Sequence, residues 1–470
     1  MNTDKFDLII RGGQLVTESE IVPTDLGILR GKVAAWGQDL RGSRVLDAHG
    51  MLVVPGAVDP HVHLAMPAGR TRSSDDWATG TLAAAWGGTT TVIDFVEPEL
   101  GQSLADALQS RREEAEEKAV LDFGLHMTLR WADPQTLADV PRMVAAGCPS
   151  FKAYTTYDGF LLDERGMLRA MRAVAAVDGV LMVHCEDNSM IETAQAHLVA
   201  DGQMGPSAHP ASRPPEAEGA AIRHVIELAA QTGCQLYVVH ISTREGVEAV
   251  QAAKARGLPV TGETCPQYLL LSDAKYELPG FEPAKYVCSP PLRGAGHADA
   301  LWTGLSRGFL EVVGTDHCPF NFKGQKDLGA EDFRLIPNGL PGIELRMALM
   351  YTFGVRTGRL GLLEWVRLCA TAPAIRFGLH PRKGSLSPGA DADVVIFDPE
   401  RRMVVSSNTL HEAVDYTPYE GFELVGYPKT VLVAGDILID DGRLHERRGP
   451  GRFLPGRLEP GVRNHSGNTG

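Results

Sequence analysis

The chain has 470 residues, 44% of them hydrophobic, and carries 59 Asp and Glu against 45 Lys and Arg, a net charge of −14. This acidity, with no run of basic residues to offset it, disfavours nucleic acid and anionic membrane as partners. No apolar run reaches bilayer length, no signal-peptide core opens the chain, and the seven Cys form no CxxC pair, so a cytoplasmic chain with buried, reduced thiols is expected.

Residues 5–54 read as short strands separated by turns: 6–10, a Gly12-Gly13 turn, 26–29, Gly31-Lys32 and 33–36. Their half-alternating pattern predicts antiparallel β-structure. An apolar strand at 51–55 then runs into Gly56-Ala57-Val58-Asp59-Pro60-His61-Val62-His63. Successive side chains on a strand point to opposite faces, so His61 and His63 face one way and Val62 the other. From here Val- and Ile-rich runs alternate with helical patterns. Strands are predicted at 89–96, 121–129, 150–154, 180–184, 235–240, 259–263 and 310–316. Helices are predicted at 103–118, at a segment ending near Gly147, at 215–232 and at 245–256, with Ser103 as an N-cap and Gly233 as a stop. Counting the His-x-His strand, eight strand-like runs imply a parallel sheet closed into a (β/α)8 TIM-like barrel. After 377 the strand rhythm returns at 392–397, 403–406 and 430–440. Neither chain end holds a full apolar core alone. Residues 1–54 and 378–448 are therefore expected to join into one small β-sandwich domain beside a catalytic barrel at 55–377. The Gly-, Pro- and Arg-rich tail, 449–470, is expected to wrap a surface or fray.

Barrels of this type present their chemistry at the C-terminal ends of the strands. Polar residues end apolar runs at five such places: His61 with His63, Lys152, His184, His240 and Asp316. Singly, each has an ordinary reading as a hydrogen-bonded core histidine, an ion-paired lysine or a capping aspartate. Together, four imidazoles, a carboxylate and a lysine at one end of a closed sheet are costly to leave unpaired, and metal coordination satisfies them at once. The lysine is the odd member, because an ammonium has no lone pair. Burial beside a metal lowers its pKa, and the free amine can add carbon dioxide to become a carbamate able to bridge two ions. The six ligands then divide into His61, His63 and Asp316 on one ion and His184 and His240 on the other, with carbamylated Lys152 between them. Water held between two Zn²⁺ ions becomes hydroxide near neutral pH and faces a carbonyl that a metal polarises, so the implied chemistry is hydrolysis of an amide-like bond.

Long motifs recur in order along the chain. They are Gly-x-x-Asp-Pro-His-x-His at 56–63, Gly87-Gly88-Thr89-Thr90, Phe151-Lys152, His184-Cys185-Glu186, His240-Ile241-Ser242 and Glu263-Thr264-Cys265-Pro266-Gln267-Tyr268. There follow Cys288-Ser289-Pro290-Pro291-Leu292-Arg293, Gly314-Thr315-Asp316-His317-Cys318-Pro319-Phe320, Pro337-Asn338-Gly339 and Asp415-Tyr416-x-Pro418-Tyr419-Glu420-Gly421. With these the chain resembles the amidohydrolase superfamily, and within it the dihydropyrimidinase and hydantoinase family of cyclic-amide hydrolases. The resemblance implies opening of a 5,6-dihydropyrimidine or 5-substituted hydantoin to the N-carbamoyl amino acid by a hydroxide bridging two zinc ions. It places the N6-carboxylated bridging lysine on Lys152 and the metal histidines on His61, His63, His184 and His240. The aspartate that binds one metal, takes a proton from the hydroxide and returns it to the leaving nitrogen falls on Asp316. The family's oxyanion donor falls on Tyr157. Ser289 and Asn338 fall on positions whose backbone N–H and C=O groups clamp the –CO–NH–CO– edge of the ring, although as bare residues both read as turn formers. A homotetramer is also implied, with 452–454 reaching a neighbouring subunit.

Dihydroorotase-like relatives place an Arg two residues after the second His to hold a substrate carboxylate. Here that position is Ala65, which disfavours an acidic ring; the Asp common there in hydantoinases is absent too. An allantoinase-like amidohydrolase is the alternative enzyme. A non-catalytic scaffold relative is the alternative class, but such chains have lost ligands that are all present here. In the family, loops after strands one and four shape the pocket for the exocyclic substituent. On this chain they carry Met66, Ala68, Tyr154, Phe160 and Leu161, which predict an apolar pocket.

Overall fold

The computed structural model describes residues 6–446 and 449–458. The remainder of the predicted tail, 459–470, lies outside the described residues. Eight parallel strands follow one another around a barrel: Ala57–Val62, Thr89–Val96, Asp122–Thr128, Ser150–Tyr154, Val180–His184, Gln235–Val238, Val260–Thr264 and Val312–Val313. The ring closes through a parallel bridge between Val62 and His317, supported by the His63 N–H donating to the His317 carbonyl at 2.9 Å. Buried Arg346 reinforces this seam by donating to the carbonyls of Val58 (3.0 Å) and Val313 (2.7 Å).

The second and third strands are buried along their whole length, as both faces of a barrel strand must be, and their polar members, such as Asp94, Asp122 and His126, are buried with the apolar ones. One set of side chains fills the barrel, among them Ile93, Phe95, Met182 and Tyr237, closed at the floor by Phe377, Leu379 and Leu454. The other set packs beneath helices such as Leu104–Lys118, Pro215–Thr232 and Arg244–Ala255. The Ser103 hydroxyl accepts from the Asp106 N–H at 3.1 Å, and Gly233 ends its helix in left-handed backbone at φ 69°, as the sequence predicts. Two predicted strands are shorter than read: 235–240 stops at Val238, and 310–316 contracts to Val312–Val313. The ladders end because His240 (φ 38°) and Asp316 (φ 53°) turn into left-handed backbone, which no regular strand contains.

The chain ends form one nine-stranded mixed sheet. Its joint is Leu52–Pro55, paired in parallel with Phe6–Val16 and antiparallel with Val394–Val404, so it joins the N-terminal strands to the C-terminal ones. Leu8, Ile10, Leu26, Ile28, Val394 and Ile396 bury one another in a core that neither end could form alone. The chain changes sheet at Gly56, where a Cβ would fall 2.1 Å from Thr90 Oγ1. Sheet and barrel are tied by buried Lys383, whose Nζ lies 2.9 Å from Asp122 Oδ2 on the third barrel strand and 2.7 Å from Asp393 Oδ2 beside the sheet.

The start of the tail wraps the barrel floor. The Phe123 N–H donates to the Arg452 carbonyl (3.0 Å), the Leu454 N–H donates to the Phe123 carbonyl (2.7 Å), and Phe453 and Leu454 are buried. Within the segment expected to reach a neighbouring subunit, Phe453 and Leu454 pack on their own chain while the Arg452 side chain stays exposed. All seven cysteines are buried free thiols. No helix among the described residues is long and apolar enough to cross a membrane.

Candidate active site

The C-terminal ends of the strands converge on a cavity of about 580 Å³. His61, His63, Lys152, Tyr157, His184, His240, Ser289, Asp316 and Asn338, all singled out from the sequence, line it together. His61 lies within the first strand and His63 one residue beyond it; Lys152 lies in the fourth strand, and His184 ends the fifth. His240 and Asp316 stand on the left-handed turns after the sixth and eighth, and Tyr157 (φ 79°) and Ala65 (φ 49°) share that backbone region. Backbone held in so sparsely populated a region marks a site whose side-chain placement the surrounding fold enforces.

Two clusters make up the base of this cavity. In the first, His61 Nδ1 lies 2.7 Å from Glu263 Oε1, so Nδ1 carries the proton and Nε2 its lone pair. That lone pair is 3.2 Å from Asp316 Oδ1, and His63 Nε2 is 3.1 Å from the same oxygen. Burial pushes His61 well below the usual imidazole range, so the ring is neutral. Although burial works to raise Asp316, its carboxyl lies below the usual carboxylate range, with the hydrogen bond from His63 among the causes that lower it. A lone pair facing a carboxylate with no proton between them needs a cation, and His61 Nε2 has no hydrogen-bond partner among the described residues. The ligand atoms of His61, His63 and Asp316 lie within 4.8 Å of one another, and the donor set fits a divalent metal.

In the second cluster His184 Nδ1 faces His240 Nε2 at 2.9 Å, while His184 Nε2 donates to Glu186 Oε2 at 2.8 Å. The proton is again drawn to the outer nitrogen, and the inner one is left as a ligand. Lys152 is buried beside these rings, its Nζ 5.0 Å from the centre of the Phe95 ring, with no hydrogen bond or ion pair among the described residues. Burial pushes its amine down to about 8. Tyr157 packs its ring 5.0 Å from that of His184, with the Arg213 guanidinium 4.9 Å over it. Burial pushes its phenol up to about 12, so the hydroxyl remains a donor.

Several residues that organise this site were not singled out from the sequence. Glu263 accepts from His61, from the Tyr237 hydroxyl (2.7 Å) and from the His240 N–H (3.0 Å), so one carboxylate sets two metal-ligand positions. It ends the seventh apolar run, the same signal that marked the six ligands. Glu186 is held in turn by Arg213, whose Nη1 donates at 2.5 Å. Asp59 accepts from the Thr315 N–H (3.1 Å) and hydroxyl (2.7 Å), fixing the segment that carries Asp316. Buried Lys326 donates its three N–H bonds to the carbonyls of Val287 (2.8 Å), Pro337 (2.7 Å) and Gly339 (2.9 Å). It thereby ties together the two backbone segments that bear Ser289 and Asn338, and nothing in the sequence separates it from a surface lysine. Met66, Ala68, Tyr154 and Phe160 line the cavity as expected, but Leu161 does not: it is 43% exposed, because its N–H closes a turn onto the Tyr157 carbonyl at 2.9 Å.

Fold and site together define the class: a TIM-type barrel hydrolase with a candidate metal site at the C-terminal ends of its strands. Residues 52–438 match the model of the amidohydrolase family. The chain is 42% identical to a D-hydantoinase of Geobacillus stearothermophilus over 95% of its length and 96% of that protein's. It is 40% identical to a D-phenylhydantoinase of Escherichia coli, covering 95% and 97%. Its fold matches the crystal structure of a dihydropyrimidinase from Brevibacillus agri with a TM-score of 0.94 at 40% identity, covering 96% of this chain and 99% of that one. The chain belongs to the amidohydrolase family, within its D-hydantoinase and dihydropyrimidinase branch.

Proposed function

We propose that the chain opens 5,6-dihydropyrimidine and 5-substituted hydantoin rings to the corresponding N-carbamoyl amino acids. The observation that carries this reading is the convergence of six ligand-type side chains with Tyr157, Ser289 and Asn338 in one cavity of a chain about 40% identical to hydantoinases. His61, His63 and Asp316 would hold one zinc ion and His184 and His240 a second. When bound, the two ions polarise the ring carbonyl and acidify the attacking water. The free amine of Lys152 would add to the carbon of carbon dioxide and lose a proton, giving an N6-carboxylate that would supply two further oxygen donors to the ions. Asp316, held ionised, accepts the proton of the water and returns it to the ring nitrogen as the C–N bond breaks. The Tyr157 hydroxyl donates to the oxygen on which negative charge develops. The backbone around Ser289 and Asn338 clamps the imide edge, and Ala65 leaves no cation to favour an acidic ring.

The test loads the protein with zinc in bicarbonate, counts zinc by elemental analysis and compares kcat/KM for dihydrouracil, hydantoin, phenylhydantoin and allantoin. Two zinc ions per chain and turnover of the first three rings are expected. Lys152→Ala should lose both the paired ions and the activity. A metal-free inactive chain, a strong preference for allantoin, or full activity in Lys152→Ala would overturn the reading.

A further inference from the structure

The proposed reaction leaves one carboxylate in the substrate cavity without a role. Glu97 directly follows the second barrel strand, Thr89–Val96, at the mouth of the barrel. It lines the cavity of the metal ligands and also an adjoining cavity of about 430 Å³, so it stands in the wall common to the two with Met66, Pro67 and Phe160. Its side chain makes no hydrogen bond or ion pair among the described residues, and burial pushes its carboxyl above the usual range. The charges facing it are His63, Asp94, Arg130 and Arg111. Both arginines are engaged elsewhere. Arg111 pairs with Asp94 (2.9 Å) and Glu114 (2.6 Å). Arg130 donates to the carbonyls of Pro98 (3.2 Å) and Gly159 (3.1 Å) and lies 4.2 Å over the Phe160 ring. Glu97 is half-buried, with its carboxylate open to both cavities and no partner among the described residues; a carboxylate so placed favours a ligand that arrives with the complementary charge.

Resting on the function proposed above, we propose that Glu97 is a specificity-determining residue that selects rings whose 5-substituent ends in a cation, an ammonium or guanidinium. The purely apolar pocket expected from the sequence is thereby revised. Met66, Ala68, Tyr154 and Phe160 pack the aliphatic stem of such a substituent, and Glu97 receives its charged end. The adjoining cavity gives longer stems room to extend past it.

The test compares a matched pair, 5-(4-aminobutyl)hydantoin and 5-pentylhydantoin, equal in chain length and different in charge, on the zinc-loaded enzyme at pH 8. The wild type should favour the ammonium ring. Glu97→Gln should lower kcat/KM for the ammonium ring about tenfold and change the pentyl ring less than about twofold. An equal loss on both rings would overturn the proposal, since it would make Glu97 a support for His63 and its metal. An unchanged ratio would overturn it too, since Arg130 would then be neutralising the carboxylate. Calorimetric binding of the same pair to the wild type provides a reading that needs no variant, with tighter binding of the pentyl ring as the overturning result. If the zinc-loaded chain binds the pair but opens neither ring, the function above has failed, and the ratio of the two Kd values in wild type and Glu97→Gln still decides the role of Glu97.

Discussion

His61 and His184 are each backed by a carboxylate on the nitrogen that faces away from the cavity, Glu263 for the first and Glu186 for the second. These partners set the tautomer and the angle of each ring, so at the proposed site they would tune metal affinity without touching a metal. Glu263→Gln is expected to weaken zinc binding roughly 10- to 100-fold in a competitive chelator titration while the fold persists. A second buried acid makes a prediction about pH. Burial pushes Glu412 from 4.5 to about 7 beside His317, Glu344 and Asp75. Below pH 4.5 the group is protonated folded or unfolded, and above 7 it is ionised in both states. Between these values the folded state binds the extra proton, so its contribution to stability falls as pH rises, by about 3 kcal/mol in all. Glu412→Gln should therefore melt above the wild type at pH 8 and level with it at pH 4.5, as read by calorimetry. At this scale the six candidate ligands were legible because each lies at or near the end of a strand-like run, and the structure brings them into one cavity. Glu263 carried the same mark, but a carboxylate that orients a ligand looks in sequence like any polar residue at a strand end.

The elements were legible where their signals are local. Ser103 caps the helix it was expected to cap, and the helix Pro215–Thr232 runs from its proline to its left-handed Gly233. Strand ends were not legible at His240 and Asp316, because nothing in an apolar run announces a residue forced into left-handed backbone by packing. The tail was the least legible segment, since Gly, Pro and Arg describe a wrapped strap and a frayed end equally well. Its docking is decided by the floor it meets, where Leu454 joins the core that holds Phe377 and Leu379. Leu454→Ala should cost about 2–5 kcal/mol in denaturant unfolding. Because the floor lies at the opposite end of the barrel from the ligands, kcat should remain that of the wild type.

For the molecule as a whole, the joint between barrel and sheet is a buried charge cluster. Lys383 meets Asp122, Asp391 and Asp393, and Arg452 adds a second cation, 2.9 Å from Asp122. Replacing the lysine leaves carboxylates buried with too little positive charge, so Lys383→Met should lose about 3–5 kcal/mol, read as a lower urea midpoint. By itself the sequence determined the alternation of strands and helices, the joining of the two chain ends and the gathering of the candidate ligands at one end of the barrel. Those properties follow from periodicity and from neighbours along the chain. Only the tertiary structure decided that Glu263 backs His61 across 202 positions, that Lys326 ties the two clamp segments together, and that Glu97 stands unpaired in the wall of the cavity. Those pairings exist only once the barrel has closed, because closure sets which distant residues meet and which buried charges are left without a partner.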